Sequence, residues 1–341
     1  MDLKEFAHAN SKIIAIFAEK RVKMELINKT VPSALILIGN GFDVAHGFKT
    51  RYSDFYNNCE ELKSLANNGN LLCQHILNNV TGDMWQDLEC GLYDYSKELT
   101  KEHGNNDKVS SEVFRIEFLQ LRGCLFSYIR KAINNSPSDN PGHFIAKLTE
   151  EWLRMNYQIL TFNYSYVVAA YTQDALKSKK DFSFNSESII FQHGSLYNHE
   201  LETFNDADKI VLGIDDAQKV DRSHSFLYKS MQNIHNIKNF IRLIKEKELY
   251  IIYGCSMGAS DAFYFRRLFG KTCKNKTFLI YAYGRKALDS IKENIHEFTE
   301  GLSMYIAETN NDIIFIDCSN QKKALLDTKK IINKIIMHQR C

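Results

Sequence analysis

Short apolar runs alternating with helical stretches predict an α/β protein: a Rossmann-like, mainly parallel sheet with a large helical insertion after its first strand and loop. Three observations carry this. Residues 34–38 are an unbroken apolar run that ends in Gly39-Asn40-Gly41, as expected of a strand buried on both faces that feeds a tight turn. Residues 57–155 lose such runs and place apolar residues three and four apart. After 156 the strand texture returns and alternates with helical patterns.

Taken in order, residues 1–30 put Phe6, Ile13, Phe17 and Val22 on one stripe, which predicts a leading helix that ends near Pro32. Residues 31–56 and 156–341 then make the α/β core, and 57–155 the insertion, a lid or partner surface over the cleft. Its joints fall at the polar stretches 67–70, 103–108 and 134–142, the last holding two of the three prolines. Strands are expected at 157–162, 188–192, 209–212, 249–253, 277–281 and 313–316. Helices are expected at 226–247, 262–269 and 287–298.

A chain of 341 residues can bury a sizeable core. Its 43 basic and 41 acidic residues leave a formal charge of +2, too little to hold the protein on nucleic acid or anionic lipid by overall field. Neither nucleic acid nor a membrane is therefore an expected partner. No apolar run approaches the roughly 18 residues of a membrane helix, and residues 13–18 are too short for a signal peptide. The eight cysteines form no CxxC pair, so they read as buried, reduced thiols of a cytoplasmic protein, with no metal site expected.

Four motifs could carry chemistry. Gly39-Asn40-Gly41 presents bare backbone at a strand end, either to a pyrophosphate or simply as a tight turn. It is not the GxGxxG fingerprint, because Gly47 lies six residues after Gly41. Asn163, after the strand ending at Phe162, can hold a ribose hydroxyl or cap the following helix. His193-Gly194 sits at the next strand end, where His193 is a general base or a satisfied structural histidine. Gly254-Cys255-Ser256-Met257-Gly258 leads into a helix, as a second phosphate site or an ordinary turn. Elsewhere, Trp85 with Leu88 and Glu89 share a helix face, to stack a ring and supply a carboxylate or to fill core. Arg266, Arg267, Lys271, Lys274 and Lys276 form a basic cluster that reads as a nucleic-acid contact or a solvated helix end.

Together these motifs resemble the bacterial abortive-infection family AbiH. The resemblance rests on the stretch from Gly39 to Gly47 followed by Thr50, Tyr52, Asp54 and Phe55; on Trp85, Leu88 and Glu89; on Phe162-Asn163-Tyr164 and His193-Gly194-Ser195; on Leu212-Gly213-Ile214-Asp215; and on Tyr253-Gly254 with Ser256, Gly258, Ser260 and Asp261. That family in turn resembles sirtuin-like NAD-binding domains. The likeness implies a nucleotide held along Gly39, Asn40, Gly41, Phe42, His46, Gly47, Thr50 and Tyr52 and by Gly254, Ser256 and Asp261. It also implies Asn163 at the ribose and water, His193 as base, and Asp43 at the ribose or nicotinamide side. Sirtuin-type loops carry Ala and Ser where this chain has Asn40 and Asp43, and the four-cysteine zinc module is absent, which points away from deacylation; NAD hydrolysis is what the resemblance to the sirtuin-like domains of phage defence implies.

The reading that follows is an antiphage effector with NAD as its substrate, cleaved to ADP-ribose and nicotinamide. Its partners would be NAD or a related nucleotide, a phage-derived trigger or partner defence protein, and a second copy of the chain in a homo-oligomer. Two alternatives stay open: a metal-dependent nuclease using Asp43, Asp54 and Glu89, and a module that senses a nucleotide without turning it over.

Overall fold

Every residue of β1 (Ser33–Ile38) after Ser33 is buried, which is why the run carries no polar alternation. The computed structural model describes residues 33–79, 88–101, 110–135, 143–177, 189–198, 203–204, 206–270, 274–298 and 311–338. The leading helix expected over 1–30, Trp85, Lys271 and the joint at 103–108 lie outside them. β2 (Asn156–Thr161), β3 (Ile189–Phe191), β6 (Leu249–Tyr253), β7 (Thr277–Ala282) and β8 (Asp312–Asp317) join β1 in one six-stranded sheet. Its order is β3-β2-β1-β6-β7-β8, and every neighbouring pair is parallel. β4 (Tyr197–Asn198) and β5 (Thr203–Phe204) form a separate antiparallel pair. The sheet thus winds outward in both directions from β1 and β6, the doubly wound arrangement.

The period-two alternation of each strand sends side chains to two cores. Ala34, Ile36 and Ile38 face one core, Leu35 and Leu37 the other. Fully burying each such Leu or Ile is worth about 1.5–3 kcal/mol. The first core is closed by helices that lie between β1 and β2 in the chain. These are α1 (Gly41–Ala45), α2 (Tyr52–Asn58), α3 (Glu60–Asn67), α4 (Leu71–Asn79), α5 (Leu88–Lys101), α6 (Ser111–Asn134) and α7 (His143–Trp152). α8 (Val167–Lys177) and, at the end of the chain, α13 (Gln321–His338) complete it. Trp152 Nε1 donates to Tyr281 Oη at 3.0 Å, and Tyr281 meets Thr328 Oγ1 at 2.9 Å, which ties α7, β7 and α13 together. α9 (Lys229–Gln232) follows a 3-10 turn over Arg222–Leu227. The second face is covered by α10 (Ile234–Glu246), α11 (Ala262–Phe269) and α12 (Gly284–Phe298).

Two expectations are corrected. Residues 209–212 are not a strand: Ile210, Val211 and Leu212 are buried, but Val211 N donates to His193 O at 2.8 Å from a crossing loop, and no ladder forms. Residues 226–247 are not one helix either. Asn233, at φ −151°, interrupts the pattern, and its side chain accepts from Asn236 N to cap α10.

The glycine after β6 shows what the tight packing requires. Gly254 has φ +69°, and a Cβ there would lie 2.7 Å from Phe42 N and 2.8 Å from Gly41 Cα. Gly254→Ala is expected to lower unfolding stability by about 3 kcal/mol or more, through backbone overlap added to left-handed strain. Gly69→Ala is the control, since Gly69 has φ +93° with nothing within 4 Å of its Cβ. That change should cost only about 1–2 kcal/mol, with urea unfolding at constant m-value as the measurement.

Candidate active site

In open α/β sheets, ligands bind beyond the carboxyl ends of the strands, where the winding direction reverses. Here that point lies between β1 and β6, and the two glycine loops meet at it. Gly39 N donates to Tyr253 O at 2.9 Å, Gly41 N to Gly254 O at 3.0 Å, and Phe42 N to Gly39 O at 3.0 Å. A Cβ on Gly41 would stand 2.6 Å from Gly254 Cα, and one on Gly39 would overlap Gly254 O. The glycines are accounted for by one backbone lying on another. A phosphate reaching the Gly39 and Gly41 amides would first have to displace the carbonyls of Tyr253 and Gly254.

Asn40 and Thr50 form a reciprocal pair: Asn40 Nδ2 donates to Thr50 O at 2.9 Å, and Thr50 Oγ1 to Asn40 Oδ1 at 2.7 Å. This fastens the segment carrying Gly47, which has φ +86°. His46 is buried with Nδ1–H on Phe42 O at 2.8 Å, while Nε2 has no hydrogen-bond partner among the described residues. Burial, opposed only by the bond to Phe42, lowers its pKa to about 4. Tyr52 hydrogen-bonds Tyr164, whose hydroxyl donates to Val211 O at 2.9 Å. Ser256 is exposed, and its carbonyl accepts from Asn294 Nδ2.

The fold brings Asp43 and Asn163 together. Asn163 Nδ2 donates to Asp43 Oδ1 at 2.9 Å and to Gly39 O at 3.1 Å, and Ser165 Oγ donates to Asp43 Oδ2 at 2.5 Å. Asp43 is 1% exposed. Burial raises its carboxyl to about 7, against the two hydrogen bonds that favour the ionised form. This triad pins the start of α1 to the end of β2.

His193 belongs to a second cluster. Its Nε2 lies 3.3 Å from Asp261 Oδ1, too poorly aligned for a hydrogen bond, so this buried nitrogen has no hydrogen-bond partner among the described residues. Lys229 Nζ reaches Asp261 Oδ1 at 2.8 Å, Ser260 O at 3.0 Å, and Glu89 at 2.9 Å to Oε1 and 3.0 Å to Oε2. His193, Lys229 and Glu89 are buried, whereas the Asp261 side chain keeps 23% exposure. Burial, reinforced by the Lys229 charge and opposed by Asp261, lowers His193 to about 4. It is neutral at pH 7 and holds an accepting lone pair. Burial works against ionising Asp261, but Lys229 and His193 carry its pKa below the usual value. Burial likewise opposes the Lys229 charge, and Asp261 and Glu89 hold the ammonium well above its usual pKa.

Gly194 has φ +81°, and its Cβ would fall on Lys209 O, so the His-Gly pair needs glycine for its backbone path. No hydrogen bond joins Asn163 to His193 among the described residues; they sit on the ends of neighbouring strands β2 and β3. Sequence reasoning missed Lys229, a lysine with no local motif, and gave Ser165 no role. Among the described residues there is no group of three or more His, Cys, Asp or Glu placed to hold a metal. Asp54 instead accepts from Arg51 N at the start of α2. In the basic cluster, Arg266 pairs with Asp215 at 3.5 Å, Arg267 lies over the Phe263 ring, and Lys276 donates to Lys247 O. Five of the described cysteines are buried, Cys90 is half-buried, and all six are free thiols.

A parallel, doubly wound sheet with a buried acid–base cluster beside its reversal point defines a Rossmann-like α/β protein with a preformed polar centre. Within that class, the chain matches the model of the bacteriophage abortive infection AbiH family over residues 35–283. It belongs to that family, and its role is antiphage defence by abortive infection. Comparison with the curated proteins finds no match. Among the described residues no helix is long and apolar enough to cross a membrane.

Proposed function

We propose that this abortive-infection protein binds NAD at the carboxyl edge of its sheet and hydrolyses the bond between nicotinamide and ribose. The observation that supports the reading best is a neutral, buried His193 whose free Nε2 faces Asp261, the one member of its cluster with partial exposure. With His193 neutral, Glu89, Lys229 and Asp261 together carry one net negative charge in a buried setting. Uptake of a proton by the His193 ring as water attacks cancels that charge, with Asp261 facing the imidazolium, while burial and Lys229 act against it. Water then bonds to the ribose C1′, the bond to nicotinamide breaks, and nicotinamide leaves with the electron pair as a neutral molecule.

In this reading Asp43 and Asn163 act from beneath, holding the first loop to β2, rather than from the ribose side. The carboxylates of the nuclease alternative are spread over three separate partnerships: Asp43 with Asn163, Asp54 with Arg51 and Glu89 with Lys229.

The test is nicotinamide release from NAD by the purified protein, with and without a chelator, beside DNA and RNA cleavage controls. Cells expressing the protein are assayed for NAD before and after phage infection, which supplies the trigger. Release that survives chelation, or an infection-dependent fall of NAD, is expected. Infection aborted at constant NAD, or metal-dependent nucleic-acid cleavage by the purified protein, would overturn the proposal.

A further inference from the structure

The four charged or ionisable members of the His193 cluster come from four parts of the chain. Glu89 lies on α5, in the helical stretch between β1 and β2; His193 follows β3; Lys229 opens α9; Asp261 precedes α11. Lys229 spends its donors on Glu89, Ser260 O and Asp261, so its ammonium fixes the place of the carboxylate that faces His193. α5 has a second tie to the same region, Ser96 Oγ against His224 Nδ1 at 2.9 Å.

We propose that Lys229 and Glu89 are positioning residues: Glu89 on α5 anchors the Lys229 ammonium, and Lys229 holds Asp261 against His193, so that the helical stretch completes the site from outside the sheet. The inference rests on His193 being the base of the proposed reaction. Removing Lys229 acts on His193 in two opposite senses: it takes away the positive charge that opposes a proton there, and it frees Asp261, whose charge favours one, to turn away. The groups facing His193 are Asp261, Lys229 and the rings of Phe162, Tyr164 and Tyr264; those that sense Glu89 are Lys229, Tyr164 and Tyr264.

The experiment uses the full-length protein carrying Lys229→Met, and a Glu89→Gln/Lys229→Met double variant that leaves no orphaned carboxylate on α5 should the single variant fail to fold. Two readouts are taken. The imidazole NMR titration of His193, assigned by its loss in His193→Gln, is recorded without substrate. Asp261→Asn is expected to lower the midpoint of that titration when Lys229 is present and to move it by less than about half a pH unit in the Lys229→Met background, where Asp261 no longer faces the ring. For turnover, kcat of Lys229→Met is expected to fall at least about tenfold with KM within about threefold, the acid limb of the rate profile following the His193 midpoint. An Asp261→Asn shift of the same size with and without Lys229 would overturn the proposal, because Asp261 would then keep its place against His193 without the lysine. The titration reads the positioning even if NAD is not the substrate, so the two proposals fail separately.

Discussion

Nicotinamide release by a folded His193→Gln protein is expected to fall by about 10²–10⁴-fold, the range a positioned general base contributes. Glutamine preserves roughly the volume of the ring and can still hydrogen-bond, but it cannot accept a proton near neutral pH. The wild-type imidazole is neutral at pH 7 and so carries a lone pair for the proton, and Asp261 Oδ1 lies 3.3 Å away to stabilise the imidazolium as it forms. Asp261→Asn should cost less, about tenfold to a hundredfold, since it leaves the base and removes only its stabilising charge. It should also lower the His193 midpoint further, because the one neighbour that raises that pKa is lost while Lys229 remains. The measurement is single-turnover release of nicotinamide, with circular dichroism and urea midpoints establishing that each variant is folded. Undiminished turnover by folded His193→Gln would remove His193 from the chemistry.

The central strands were legible in the sequence because they are buried on both sides. β1 and β7 are apolar along almost their whole length because helices cover both faces of the sheet, so an unbroken run identifies them without any periodicity. The same rule misleads at 209–212, where the run is buried by a crossing loop against Gly194 and not by strand pairing. Hydrophobicity reports burial, and only the long-range backbone ladder distinguishes a strand from a buried crossing. The helix over 226–247 failed for a local reason that was present in the sequence: Asn233 is a good cap, and a cap marks a start.

The site was legible as positions but not as partnerships. Asn163 and His193 stand just beyond strand ends, and Asp43 and Asp261 enter through the resemblance to the AbiH family. Which of them meet could not be read. Asn163 is 120 residues from Asp43, and Lys229 is 140 residues from Glu89 and 32 from Asp261. No spacing rule spans such separations. The glycines carry the opposite lesson. In the sequence Gly39, Gly41 and Gly254 fit either a phosphate cradle or a turn, and the contact of one loop's backbone with the other's explains all three without a ligand.

Replacing Asp43 by asparagine is expected to stabilise the protein above pH 7 relative to its stability change at pH 4, by about 4 kcal/mol, the equivalent of a carboxyl moved from 3.8 to about 7. The sign follows from proton counts. Between those two pH values the unfolded chain has released the Asp43 proton and the native protein retains it, so unfolding releases a proton and stability falls as pH rises. The contribution is fully present below pH 4 and is lost as pH passes through about 7. Two histidines act in the opposite sense. His46 and His193 titrate near 4 in the native state against 6.5 unfolded, so unfolding takes up protons between those values and stability falls as pH drops. The wild-type profile mixes these slopes, whereas the difference between wild type and Asp43→Asn isolates one carboxyl. That difference should grow from pH 4 to about 7 and then level off. The introduced amide can keep both hydrogen bonds, its oxygen accepting from Asn163 Nδ2 and its nitrogen donating to the Ser165 hydroxyl, which can rotate to accept. The measurement is urea unfolding of both proteins at unit steps from about pH 4 to 9. A difference that stays constant across this range would mean that Asp43 is ionised in the folded protein at low pH, with its two donors outweighing its burial.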